Sequence, residues 1–130
     1  MNSIPVVTKN ILIINVLCFF GSVVAAKYGI DLNDLLGLHF FLASDFNPAQ
    51  LITYMFMHAG FQHIFFNMFA VWMFGRTLEY ELGSQRFLTF YMVCGVGAAL
   101  IQYLTALAFG ELPLLLVGAS GAVMGLLLVL

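Results

Sequence analysis

Two groups of residues in this chain have types and spacings that could do chemistry. The first is His58, His63 and Asn67, inside an apolar run at 51–74. His63 and Asn67 are four residues apart, so on a helix they share one face. The second is Gly118-Ala119-Ser120-Gly121. Its glycines allow a sharp bend and close approach of another group. A serine at a helix start also sits among unpaired backbone N–H groups, which can stabilise an oxyanion. It is not the GxSxG elbow of soluble hydrolases, because Ala122 fills the last position. Each group has a plainer reading. His and Asn in a membrane span serve as interhelical glue, and small residues let helices pack closely. Gly121 and Gly125 form a GxxxG pair, with Gly95, Gly97, Ala98 and Ala99 as a matching small surface. A metal site on His58 and His63 has weak support, since no carboxylate or cysteine stands beside them.

The elements that must position these residues belong in a bilayer. Of 130 residues, 63% are hydrophobic and 8% charged, against about 25% charged in a soluble domain. Ten charges could not cover the surface of a soluble domain this small. A net charge of −2 with scattered basic residues leaves no footprint for nucleic acid. Fourteen phenylalanines exclude disorder. Cys18 and Cys94 each sit alone in an apolar run and read as buried apolar cysteines. Lipid cannot satisfy backbone groups, and the apolar runs are far longer than a barrel strand of about ten residues. The fold class is therefore all-α, a polytopic transmembrane helical bundle.

Spans are expected at 11–26, 51–74 and 87–109, all within a single membrane domain. A rival reading takes the first as a signal peptide ending at Val24-Ala25-Ala26, but the hydrophobicity of everything downstream favours a span. The stretch at 28–50 carries Asp31, Asp34 and Asp45 and holds a short interfacial helix. A polar connection is expected at 75–86. Pro113, Gly118, Ser120 and Gly121 argue against one long final span. They favour an extended entry at 114–117 and a helix from Ser120 over 120–130, about half a bilayer deep at roughly 1.5 Å per residue. Lys9, Arg76 and Arg86 fall on one side and Lys27 on the other, which favours a cytoplasmic N-terminus.

Taken together, the two groups are more specific. Phe56-Met57-His58-Ala59-Gly60-Phe61-Gln62-His63-Ile64-Phe65-Phe66-Asn67-Met68, with Trp72-Met73-Phe74-Gly75 and Leu78-Glu79 after it, resembles the second helix of the rhomboid intramembrane serine proteases. Gly118-Ala119-Ser120-Gly121-Ala122 resembles that family's catalytic serine motif. The resemblance implies a serine endopeptidase that cleaves transmembrane segments of membrane proteins, with no cofactor and no metal. It makes Ser120 the nucleophile, has His63 and Asn67 stabilise the oxyanion, and gives His58, Gly118, Ala119 and Gly121 supporting roles. It implies a multi-pass protein of the cell (inner) membrane and leaves the oligomeric state open. Ala49-Gln50 stands where the family often has Trp-Arg, a difference that bears on how the first loop is anchored.

A serine hydroxyl needs a base. The family's base is a histidine two spans beyond the serine helix, and the resemblance leads one to expect here a rhomboid-like bundle truncated after the start of the fourth helix. The chain by itself is expected to hydrolyse nothing. The alternative is a non-catalytic rhomboid-like protein that binds client transmembrane helices.

Overall fold

The computed structural model describes residues 4–110 and 115–129, with the side chains at 115, 116, 120 and 129 outside the description. Pro113 therefore lies outside the described residues, as does the Leu112–Leu114 part of the entry to the last helix.

Helix α1 (Val6–Lys27) is 22 residues long and starts five residues before the expected span. Pro5, with φ −59°, stands just before its first turn, a position where its missing N–H costs nothing. Asn15 is fully buried in α1 and turns its amide back onto the Ile11 carbonyl at 2.8 Å. Gly29 (φ +79°) then turns the chain into the acidic loop. The loop contains the short helix α2 (Leu32–Leu36), capped by the Asp31 side chain on the Asp34 N–H. Strand β1 (Leu38–His39) pairs antiparallel with β2 (Leu115–Leu116), Leu38 opposite Leu116 and His39 opposite Leu115. This pairing ties the acidic loop to the segment that leads into the serine motif.

The apolar run at 51–74 is not one helix. Helix α3 (Gln50–Thr53) passes into a 3-10 turn, Tyr54–Phe56, and the chain then extends at Met57, ψ 143°. Gly60, also extended, precedes α4 (Phe61–Ala70). A π-helical turn, Val71–Gly75, joins α4 to α5 (Arg76–Leu82) without a break. The expected polar connection at 75–86 is thus mostly helix, and Gly83 (φ +87°) alone turns the chain into α6 (Ser84–Phe109). The extension holds because Leu78 and Glu79 are buried.

Helix α6 is 26 residues long and ends at Gly110 in the left-handed conformation. Helix α7 (Ser120–Val129) starts at the serine. The core lies where α1, the α4–α5 helix, α6 and α7 meet, around the fully buried Val71, Phe87, Tyr91 and Leu126. Outer helix faces carry exposed Phe20, Phe66, Ile101 and Leu104. α1 and α6 are long and apolar enough to cross a membrane, yet only 11% and 22% of those stretches are buried inside the molecule. An exposed apolar surface of that extent belongs in lipid rather than water. Cys18 and Cys94 are half-buried rather than buried.

Candidate active site

The break at 57–60 decides the geometry. It removes His58 from the helix on which the apolar run would have placed it. His58 sits in the extended segment, 1% exposed, while His63 and Asn67 lie one turn apart on α4. The two imidazoles meet edge to face, ring centroids 5.1 Å apart.

The other half of the site is the turn into α7. Gly118 has φ +109°, a conformation that L side chains rarely adopt. A Cβ at Gly118 would lie 2.6 Å from His63 Cε1 and 3.0 Å from its Nε2. Gly118 is therefore required twice, for its backbone angle and for the histidine ring against it. Its N–H donates to the Tyr54 carbonyl at 2.9 Å. The next N–H, that of Ala119, points at His58 Nε2 at 3.4 Å. Accepting there places the proton of a neutral His58 on Nδ1. Both histidines thus face the backbone immediately before Ser120, whose own backbone opens α7. Asn67 is 8% exposed, and its Nδ2 has no hydrogen-bond partner in the protein.

This pairing of a His/Asn helix with a glycine-serine turn falls within a match to the rhomboid domain family over residues 46–130. The chain belongs to the rhomboid family. YdcA of Bacillus subtilis is 40% identical over 77 residues, 59% of this chain and 37% of that protein. RHOMBOID-like protein 5 of Arabidopsis thaliana is 40% identical over 78 residues, 60% of this chain and 24% of that protein. The rhomboid protease GluP of Bacillus subtilis is 35% identical over 78 residues, 60% of this chain and 14% of that protein. The chain thus spans 37% or less of the length of these relatives. Family and apolar helices together make it an integral membrane protein with the all-α rhomboid-like fold.

Within this rhomboid frame the glycines divide their work. Gly118 receives His63, whereas Gly121 faces α6: a Cβ there would lie 2.5 Å from Ala98 Cβ. Gly125 packs the same way on Cys94. The close-packing reading of the small residues therefore describes Gly121 and Gly125, and the reading as a ring seat describes Gly118. Ala119 is 1% exposed and is fixed through its N–H.

Tyr54 and Tyr103 carried no sequence signal, and Gln50 stood out only as a departure from the family's pattern. Tyr54 holds the turn through its carbonyl and reaches α6 by donating its hydroxyl to the Gly95 carbonyl. Gln50, standing where the family often has arginine, anchors the acidic loop by three hydrogen bonds. Its Nε2 donates to the Leu35 and Asp45 carbonyls, each at 3.1 Å, and its Oε1 accepts from the His39 N–H at 3.2 Å. Tyr103 adds a hydrogen bond from its hydroxyl to the His39 carbonyl at 2.6 Å. Strand β1 is thereby clamped from both sides, and with it the strand that leads to the serine motif.

Among the described residues one further group has metal-ligand types: Asp34, His39 and Asp45, whose ligand atoms all lie within 4.8 Å of one another. His39 Nε2 faces Asp34 (Oδ1 at 3.5 Å) and Nδ1 faces Asp45 (Oδ2 at 3.4 Å). Nε2 also meets the Asp34 carbonyl at 2.6 Å. With its nitrogens turned to different carboxylates, the ring bridges the loop rather than converging with both on one ion.

At the opposite end of α4–α5, Glu79 is 3% exposed and accepts four hydrogen bonds. The donors are the Val7 and Thr8 N–H groups (2.9 and 2.7 Å), the Thr8 hydroxyl (2.8 Å) and the Ser84 hydroxyl (2.7 Å). Glu79 thus caps the first turn of α1, which has no side-chain cap of its own. Burial alone would raise its pKa, but the hydrogen bonds from Ser84, Thr8 and Val7 outweigh burial and leave it below the ordinary glutamate value.

Proposed function

We propose that this chain carries the nucleophile and the oxyanion-stabilising half of a rhomboid-type intramembrane serine endopeptidase that cleaves transmembrane segments of membrane proteins. The observation that carries the reading is the seat of His63 against Gly118, two residues before the serine that opens α7. In this reading Ser120 attacks the scissile carbonyl. The charge on its oxygen is met by His63, by the unpartnered Asn67 amide and by backbone N–H groups at the start of α7. No cofactor enters, because acyl transfer to a serine and hydrolysis of the ester need only a base and water.

The base is not supplied by the histidines present. His58 Nε2 faces Ala119, His63 packs on Gly118, and His39 is held between carboxylates in the loop. The 130-residue chain alone is therefore expected to leave a membrane substrate uncut.

The test is cleavage of a fluorogenic transmembrane substrate in liposomes. The chain alone gives no cleavage. A protein extended to the length of its relatives cleaves, and Ser120→Ala abolishes the activity. Cleavage that survives Ser120→Ala overturns the reading. The alternative, capture of client helices without cleavage, is supported by a groove of about 550 Å³ along α6 and α7, lined by Tyr54, Cys94, Ala98, Gly121 and Gly125. Client binding that survives Ser120→Ala, with no cleavage, would favour it.

We further propose a multi-pass topology in the cell membrane with a cytoplasmic N-terminus. The Thr8–Glu79 contact supports it by placing Lys9 and Arg76 at one end of the bundle, the end where α6 and Arg86 begin. Lys27 lies at the other end of α1. An impermeant thiol reagent should label a cysteine placed at Gly29, but not one placed at Gly83, in intact cells. The reverse pattern overturns the orientation.

A further inference from the structure

A groove of about 340 Å³ runs between α1 and the α4–α5 helix on the outside of the bundle. Val16 and Phe20 form one wall, Phe65, Phe69 and Trp72 form the other, and the buried Ile64 lies at the floor. The wall side chains are exposed, so in a bilayer they meet lipid. Phe65 and Phe69 lie about half a turn around α4 from His63 and Asn67, so the groove is on the far side of that helix from the serine.

Both walls lead to a basic residue, and at the same end of the bundle. Lys9, Val16 and Phe20 are spaced so that they stay within about 40° on one side of α1. Arg76 follows Trp72 by one turn, and its guanidinium lies over the indole ring, 4.7 Å from the centroid. This cation–π contact holds the charge at the end of the groove. The hydrogen bond from the Thr8 hydroxyl to Glu79 joins the start of α1 to α5, which puts Lys9 and Arg76 at one end. Among the described residues no carboxylate lies within ion-pair distance of either charge. Glu79 is turned inward onto Val7, Thr8 and Ser84, and Glu81 projects about 140° around α5 from Arg76.

We propose that this groove is a binding site for an anionic phospholipid, with one acyl chain between the two walls and the phosphate on Arg76 and Lys9. An apolar slot that leads to two cations without carboxylate partners complements a molecule with a hydrocarbon tail and an anionic head. The planar guanidinium can meet two phosphate oxygens at once. A zwitterionic lipid brings its own ammonium group against the same two cations, which favours an anionic headgroup. The slot accommodates a hydrocarbon chain, whereas a helix about 10–12 Å across would rest on its rims. In the topology proposed above, the two cations face the cytoplasmic leaflet, where anionic lipids concentrate. The site is independent of the protease reading.

Trp72 is the only tryptophan of the 130 residues and stands in the groove wall, so its fluorescence reports the occupant. The experiment places the chain in phosphatidylcholine bilayers with a small fraction of dibrominated phosphatidylglycerol or of dibrominated phosphatidylcholine, whose bromines quench tryptophan on contact. At equal mole fraction the phosphatidylglycerol should quench several-fold more. Lys9→Gln combined with Arg76→Gln should bring the two lipids level. Val16→Phe, which fills the groove and leaves both cations in place, should do the same. An unchanged circular dichroism spectrum confirms that the variants are folded. Equal quenching by the two lipids in the native chain overturns the site. Selectivity that survives Val16→Phe also overturns it, because the charges then attract lipid without the groove. A Trp72 that neither lipid quenches overturns it too, and puts a protein helix, such as one from a second copy, over the groove.

Discussion

The two ends of the helix that runs through α4 and α5 treat buried polar groups in opposite ways. At the Glu79 end every interaction is closed: one buried carboxylate accepts four hydrogen bonds and docks α1 against α5 and α6. At the Asn67 end they are left open. Asn67 Nδ2 and His58 Nδ1 are buried without protein partners, and the Ala119 N–H reaches its acceptor only at 3.4 Å. A buried polar group without a partner costs about 1–3 kcal/mol. The first end pairs its buried polar groups, and the second leaves buried donors unpaired.

That contrast can be broken by mutation, and the largest effect is expected at the closed end. Glu79→Ala strands the Val7 and Thr8 N–H groups and should cost about 3 kcal/mol in detergent unfolding; a loss below about 1 kcal/mol would show that Glu79 does not organise the helix ends. The same site gives a pH signature. Because the folded-state pKa of Glu79 lies below its ordinary value, its stabilisation is fully present above that ordinary value and disappears as pH falls through the lowered one. The melting temperature should drop in that acid window for the native chain, and less so in Glu79→Gln.

Next comes Gly118→Ala, with a cost of about 2 kcal/mol from the positive φ and the clash with His63. Gly97→Ala is its control. Gly97 sits inside α6, and a methyl group added there would meet nothing within 4 Å, so alanine should stabilise by about 0.5–1 kcal/mol. Equal effects at the two glycines would contradict the seat assigned to His63. The smallest stability change is expected at Asn67→Leu, within about 1 kcal/mol of zero, because the buried amide nitrogen it removes has no partner. If Asn67 stabilises the oxyanion, the same substitution in a cleaving protein should still lower kcat strongly. A neutral melt with unchanged kcat would remove Asn67 from the site.

The sequence made one half of this comparison readable and hid the other. Glycines at 118 and 121 signalled a bend, and α7 starts at Ser120. The spacing of His63 and Asn67 placed them on one helix face, and both lie on α4. The break at 57–60 was hidden, because Met57, Ala59 and Phe61 keep the run apolar while Gly60 alone hints at an interruption. Glu79 was legible only as part of the resemblance, through Leu78-Glu79, since nothing local shows that its carboxylate faces backbone donors some 70 residues earlier. Gln50 was legible as a departure at the loop's anchor point, but not its partners: it holds the loop through carbonyls of Leu35 and Asp45, which any residue type would present. Strands of two residues, β1 and β2, leave no alternation to read. Composition and spacing report the apolar path and the local bends, while long-range pairing with backbone groups stays invisible.

The central claim is that Ser120 is a nucleophile presented beside the oxyanion donors His63 and Asn67. It is tested most directly by reacting a protein extended to the length of its relatives with a serine-directed acylating inhibitor in liposomes and mapping the modified residue by mass spectrometry. The account predicts a single adduct on Ser120, lost in Ser120→Ala and reduced in His63→Ala. An adduct on another residue, or none under conditions where the substrate is cleaved, would contradict it.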